Sequence, residues 1–197
     1  MSENAGTSTV IVDKTANAAP PLGFTGLGLA AVLLSLSYIG VYPVESMIVS
    51  MAIFLGGFAQ VFAGIMSWKK GDIFAGTAFS AFGLFWFSLA GLLVMPAMGW
   101  ASPPSSGIAM AAYLFTWGGV YTFVMLIITM KIGVRALQFV FVTLFILFML
   151  LAVVNATGNA GLLVVAGYVG LIMGLGSMYT ALAMVMNEIH GKAVAPL

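Results

Sequence analysis

From Ile73 to Met130 no side chain carries a charge, a stretch far too long for one helix of a water-soluble domain and long enough for two membrane crossings. The charged residues are Glu3, Asp13, Lys14, Glu45, Lys69, Lys70, Asp72, Lys131, Arg135, Glu188 and Lys192. Between them lie six spans free of Asp, Glu, Lys, Arg and His: Leu22 to Tyr42, Met47 to Trp68, Ile73 to Met95, Ile108 to Met130, Ala136 to Val154 and Ala160 to Met186. Each is 19 to 27 residues long, and a helix needs about 20 to cross a hydrocarbon layer roughly 30 Å thick. Only 6% of the chain is charged and 62% is hydrophobic, whereas a soluble domain is about a quarter charged. A core cannot absorb this excess, because a domain of about 150 residues still exposes some 30% of its unfolded surface. A β-barrel would alternate apolar and polar residues over segments of about ten, which Phe139 to Val154 does not do. The expected fold is an all-α integral membrane protein with six transmembrane helices.

Pro96, Trp100, Pro103, Pro104 and Gly107 punctuate the long uncharged stretch and predict a loop over 96–107 between the third and fourth helices. Six crossings then put the N-terminal tail, residues 69–72, residues 131–135 and the C-terminus on one side. These segments hold every Lys and Arg, and the loops at 43–46, 96–107 and 155–159 hold none. The positive-inside rule therefore predicts that both termini are cytoplasmic. Residues 1–19 are small and polar without a signal-peptide pattern. They read as a disordered cytoplasmic tail, with 20–192 as the membrane domain and 193–197 as a C-terminal tail. Ala19-Pro20-Pro21-Leu22-Gly23 predicts the start of the first helix, since proline is tolerated in a first turn.

In lipid, helices gain little from burying apolar surface against each other, and close approach through small residues takes its place. Gly26 and Ala30, Ala59 and Ala63, Gly76 and Ser80, and Gly170 and Gly174 stand four apart and predict a tight bundle. Gly56-Gly57 and Gly118-Gly119 precede Lys69 and Lys131 by the same interval, an echo that would suit repeated helical hairpins. In a chain with 24 glycines such an echo is expected by coincidence and is read here as one.

The composition excludes several functions. A formal net charge of +1 offers no field to recruit nucleic acid. Without Cys, and with His190 as the lone histidine, neither a thiolate nor a histidine metal site is expected, and no cofactor is. No acid, base or imidazole falls within a span, which argues against an enzyme and against a carrier that loads protons on an intramembrane carboxylate. Glu45, Asp72, Glu188 and His190 at the membrane edges read as solvated helix-end groups.

The uncharged polar residues within spans are Ser35, Ser50, Gln60, Ser80, Thr116, Thr122, Thr143, Ser177 and Thr180. Most hydroxyls in membrane helices return to the backbone or bridge to a neighbour. Gln60 differs, because its amide has more donors and acceptors than one backbone bond can satisfy. A path lined by such groups suits a small solute, neutral or singly charged, sorted by width, hydrogen bonding and a hydrophobic constriction. The substrate-binding candidates are Gln60, Ser50, Ser80, Thr143 and Asn155.

Pro21-Leu22-Gly23-Phe24-Thr25-Gly26-Leu27-Gly28 resembles the signature that opens the acetate uptake transporter family, of the GPR1/FUN34/YaaH type. Further similar segments follow in order: Phe54-Leu55-Gly56-Gly57-Phe58-Ala59-Gln60, Phe62-Ala63-Gly64, Lys69-Lys70-Gly71, Thr77-Ala78-Phe79 with Gly83 and Phe85-Trp86, Arg135 through Phe141, and Asn187-Glu188. The resemblance implies a homohexamer in which each protomer carries its own path for acetate, and in some members succinate. It also implies a hydrophobic constriction made by a Phe, a Tyr and a Leu on the first, third and fifth helices. By register these positions are Leu27, Phe82 and Leu144 here, so only the Leu is retained. The expected partners are acetate or a similar small carboxylate, the bilayer and further copies of the chain.

Two other readings compete with this one. A channel for a small neutral solute such as urea would give pH-independent flux, and a membrane scaffold would give none.

Overall fold

The computed structural model describes residues 19–100 and 105–197. Within them, six helices are long and apolar enough to cross a membrane: α1 Ala19–Ile39, α2 Ser46–Lys69, α3 Ile73–Ala97, α4 Gly107–Ile132, α5 Arg135–Thr157 and α6 Ala160–His190. Each predicted span lies mainly within one helix. Of the expected tail at 1–19, residues 1–18 fall outside the described residues, as do the prolines at 103 and 104, and Ala19 opens α1.

The connections are short because their ends are chemically specified. Asp72, Ser106 and Asn159 cap α3, α4 and α6 by accepting from the backbone amides of Ala75, Ala109 and Leu162 at 2.9, 3.2 and 3.1 Å. Gly133 and Gly158 close α4 and α5 in the left-handed region, at φ +80° and +68°, where only glycine is unstrained. Pro96 corrects the predicted loop, since it lies inside α3 one residue before its end. The helix closes there through Met98 N to Val94 O at 3.0 Å and Trp100 N to Met95 O at 2.9 Å. A proline this late deletes one hydrogen bond without interrupting a continuing helix.

α2 packs against α3 and α1, α4 against α5, and α6 against α5 and α1. Small residues make the last contact close. A Cβ on Gly28 would stand 2.8 Å from the Gly174 carbonyl oxygen, and one on Gly174 would stand 3.0 Å from the Gly28 carbonyl oxygen.

The glycine echo is a structural repeat, which corrects its reading as coincidence. Residues 52–59 of α2 and 116–122 of α4 both wind as π-helix, and each segment contains one of the glycine pairs. Gly56 lies against the Trp86 indole and Gly118 against Phe148. The offset that carries Gly56 to Gly118 also carries Trp86 to Phe148 and Phe82 to Leu144. A π turn widens the local helix and re-aims the side chains that follow it. Here it seats each glycine pair over a large ring of the next odd-numbered helix.

Beyond α6, residues 191–197 double back. Asn187 binds both sides of this segment, accepting from Val194 N and Ala195 N at 2.7 and 2.8 Å and donating to the Ala195 carbonyl at 2.8 Å. Tyr179 donates to the Pro196 carbonyl at 2.9 Å.

Candidate functional site: two cavities and a shared neck

The odd-numbered helices run in the same direction and line the interior in registered layers. One layer is Phe24, Phe79 and Phe141, and the next is Leu27, Phe82 and Leu144. Beyond these come Ala31, Trp86 and Phe148, and then Leu34, Leu89 and Leu151. The steps of three and four residues are those that keep side chains on one face of a helix.

Two cavities enter this interior from opposite ends. One, of about 360 Å³, lies at the end that holds Lys69, Lys131 and Arg135, and it is lined by Pro20, Phe24, Gln60, Asp72, Phe79, Val134, Phe141 and Met184 among others. We call it the basic-end cavity. The other, of about 320 Å³, reaches the opposite end past Ser35, Tyr38, Trp86, Leu89, Leu93, Phe148 and Asn155. We call it the far cavity. Leu27, Phe82 and Leu144 line both. Each of the three is at most 5% exposed. Rings brace the neck: Phe82 stands edge-on to Tyr121 at 5.4 Å between centroids and to Phe141 at 6.1 Å. Phe24 meets Phe79 edge-on at 5.1 Å in the layer beneath.

Gln60 is fully buried in the wall of the basic-end cavity. Its Nε2 donates to the Gly23 carbonyl of α1 at 3.4 Å, and its Oε1 has no hydrogen-bond partner. The Gly23 oxygen fixes this orientation, because the flipped amide would set two acceptors together. Asn155 lines the far cavity and donates to the Leu151 carbonyl at 2.8 Å.

The structure does not bring the other three polar candidates to either cavity. Ser50 is exposed on the outer face of α2. Ser80 is buried where α3 crosses α2, against Gly64. Thr143 bonds to its own helix, with Phe139 O at 2.8 Å and Val140 O at 3.1 Å. Thr116 and Thr180 likewise return to the backbone four residues back.

Two polar residues of the far cavity were not among the substrate-binding candidates, Ser35 and Tyr38. The signal was available. Leu27, Ala31, Leu34 and Tyr38 follow the spacing of a single helix face, with Ser35 beside it. Among the described residues, no group of three or more His, Cys, Asp and Glu side chains could hold a metal.

The chain has relatives along nearly its whole length. A protein of Methanothermobacter thermautotrophicus is 44% identical over 196 residues, covering 96% of this chain and 95% of the relative. The succinate-acetate/proton symporter SatP of Escherichia coli K12 is 44% identical over 184 residues, covering 93% of this chain and 96% of that one. The solved structure of the bacterial acetate channel SatP matches with a TM-score of 0.89 at 43% identity, covering 93% of this chain and 99% of that chain. With a family model matching residues 2–195 around this six-helix membrane bundle, the chain belongs to the GPR1/FUN34/yaaH family.

Proposed function

We propose that the protein moves acetate and similar small monocarboxylates across a membrane through a path within each protomer, and that it is not an enzyme. One observation carries this reading: two cavities from opposite ends of the bundle share Leu27, Phe82 and Leu144 and so converge on one apolar neck. The similarity to the acetate channel and the succinate-acetate/proton symporter supports the choice of solute.

The neck discriminates by charge. A bare carboxylate entering a dry apolar ring loses its hydration, a penalty of many kcal/mol, whereas the undissociated acid loses far less. Carboxylic acids have pKa values near 4, so the neutral species is a small fraction at pH 7 that grows about tenfold for each unit the pH falls. Gln60 lines the basic-end cavity beside this neck, and a turn of its amide that opens the sealed, unpartnered Oε1 to the cavity would give the hydroxyl of a protonated acid an acceptor. Passage is therefore passive or proton-linked, with the proton travelling on the substrate. The basic residues at one end support a cytoplasmic position for both termini, and the family resemblance supports a homohexamer.

The test is reconstitution in liposomes with labelled acetate and labelled urea at two external pH values, with Leu144→Ala in parallel. Acetate uptake that exceeds empty vesicles, rises at acid pH and changes in Leu144→Ala upholds the reading. Urea flux alone, or acetate entry no faster than through bare lipid, defeats it.

A further inference from the structure

Behind the neck, the seam between α3 and α4 is built unlike its repeat partner. The offset that carries Gly56 to Gly118 also carries Leu55 to Trp117 and Ala59 to Tyr121. In the first hairpin these positions lie directly on α1: a Cβ on Gly26, the residue before Leu27, would meet the Leu55 carbonyl and stand 3.3 Å from the Ala59 side chain. In the second hairpin, rings occupy the same positions. α4 packs closely on α5 and makes no comparable contact with α3, so Trp117 and Tyr121 wedge the two helices apart and fill the seam.

Both rings reach the neck from behind. Tyr121 stands edge-on to Phe82 at 5.4 Å, Trp117 tilts against it at 6.1 Å, and the two meet each other edge-on at 5.3 Å. The Tyr121 hydroxyl donates to the Thr77 carbonyl of α3 at 3.3 Å. The Thr122 hydroxyl donates to the Trp117 carbonyl five residues back at 2.6 Å, across the π turn that carries the pair. Neither ring lines either cavity, so both act on the path through Phe82.

Phe82 has one side on which to yield. Toward α2 its neighbour Gly83 meets backbone, since a Cβ there would stand 2.8 Å from the Gly57 carbonyl oxygen. Toward α5 it meets Phe141, which is 4% exposed and enclosed by the core. Trp117 and Tyr121 are only half-buried, and side chains at a helix surface rotate where backbone cannot.

We propose that Trp117 and Tyr121 are positioning residues that set the width of the neck through Phe82, and that the α3–α4 seam is where the neck gives way when an acid passes. This rests on the reading of the chain as an acid pathway. A neck that sorts by width admits wider solutes once its brace is weakened, whereas a loss of folded protein lowers the uptake of every solute in proportion.

The experiment has a transport arm and an access arm. Purified full-length protein in liposomes takes up labelled acetate and labelled pyruvate, a wider monocarboxylate, with entry into empty vesicles subtracted. The ratio of pyruvate to acetate is expected to rise roughly fivefold in Trp117→Leu and about twofold in Tyr121→Phe, which loses only the hydroxyl. Trp117→Phe keeps a ring and stays within about twofold of the parent. Phe123→Leu, on the same helix but packed against Phe145 of α5, leaves the ratio unchanged. In a Phe82→Ala background Trp117→Leu adds nothing, because the residue it acts through is gone. The access arm needs no transport. The chain has no Cys, so Leu27→Cys in detergent places a single thiol in the neck. Its modification by methyl methanethiosulfonate is expected to be several-fold faster when combined with Trp117→Leu. An unchanged ratio in protein that does take up acetate, an unchanged modification rate, or an equal effect with and without Phe82 overturns the brace. Faster modification without any acetate uptake by the parent leaves the brace standing and defeats the conduction reading alone.

Discussion

The hydroxyl of Ser177 on α6 donates to the carbonyl of Phe24 on α1 at 2.8 Å, joining residues 153 apart in sequence one layer below the neck. Ser177 is fully buried, and Phe24 belongs to the ring layer that supports Leu27. Interhelical hydrogen bonds in membranes average about 0.6 kcal/mol, and Phe24 O keeps its own helical partner after the loss. Ser177→Ala is therefore expected to lower stability by about 0.5–1 kcal/mol, or roughly 1–4 °C in thermal unfolding in detergent. A larger drop would mean that the bond fixes the position of α1 and does more than tie two helices together.

The glycines of the bundle predict substitutions of opposite sign. At Gly28 and Gly174 an added Cβ would meet a backbone carbonyl at 2.8 and 3.0 Å, and backbone cannot step aside as a side chain can. Gly174→Ala is expected to force α1 and α6 apart at a cost of about 1–3 kcal/mol. At Gly91 the nearest atom to an added Cβ is Met95 Cε at 3.6 Å, an ordinary contact. Gly91→Ala removes backbone entropy from the unfolded chain and should stabilise by about 0.5–1 kcal/mol. Thermal melts of the two variants beside the parent check both signs.

The frame of this fold was open to reading because membrane spans are written in composition. Asp72, Lys131 and Glu188 sit at or near helix ends, and the four long intervals between charges, two of them long enough for two crossings, hold the six helices. Pro96 was misjudged because a proline warns of a break without saying whether the last turn lies before or after it. The neck was legible only through the family resemblance, whose motif register places Leu27, Phe82 and Leu144, and these three line both cavities. The hydroxyls were not legible, since Ser35 and Thr143 look alike in sequence. What separates them is whether the oxygen turns to its own backbone, as Thr143 does, or to a neighbouring helix, as Ser35 does toward Gly170 of α6. The repeat was hidden because only glycines and rings preserve it, and those residue types abound in this chain.

Leu144 is 3% exposed and stands between two existing voids. Leu144→Ala removes its bulk at the point where those voids converge, so truncation joins them and widens the apolar neck. Destabilisation of about 2–3 kcal/mol is expected, the low end for a buried leucine, because the adjoining space is already open. Acetate flux should rise, and its dependence on external pH should flatten, because a wider and wetter neck penalises the anion less. Flux at pH 5 and at pH 7 in the variant and the parent measures the effect, and an unchanged ratio between the two would place the barrier elsewhere.

Tyr42, in the α1–α2 connection, donates to the Leu33 carbonyl at 2.8 Å. Burial, and secondarily the Glu45 carboxylate, push its phenol above the ordinary 10.0. The folded state therefore holds this proton more tightly than the unfolded chain. Its contribution to stability is present in full below pH 10 and is lost as the pH rises from there through the raised value. Tyr42→Phe should remove that part of the alkaline loss while leaving the slope below pH 9 unchanged, as read from unfolding midpoints at pH 8 to 11.

Gln60 separates stability from transport. Its unpartnered Oε1 is a buried acceptor, and a buried polar group without a partner costs about 1–3 kcal/mol. Its single bond, to Gly23 O at 3.4 Å, is long and returns little of that. Gln60→Met keeps the volume and removes the unsatisfied group, so the bundle should be as stable as the parent or up to about 1 kcal/mol more so. The same change takes away the acceptor for a protonated acid in the basic-end cavity, and acetate uptake should fall several-fold, chiefly as a raised half-saturation concentration. A purely structural glutamine would show the reverse pairing, with lost stability and intact transport. Thermal unfolding and liposome uptake measured on the same preparation decide between them.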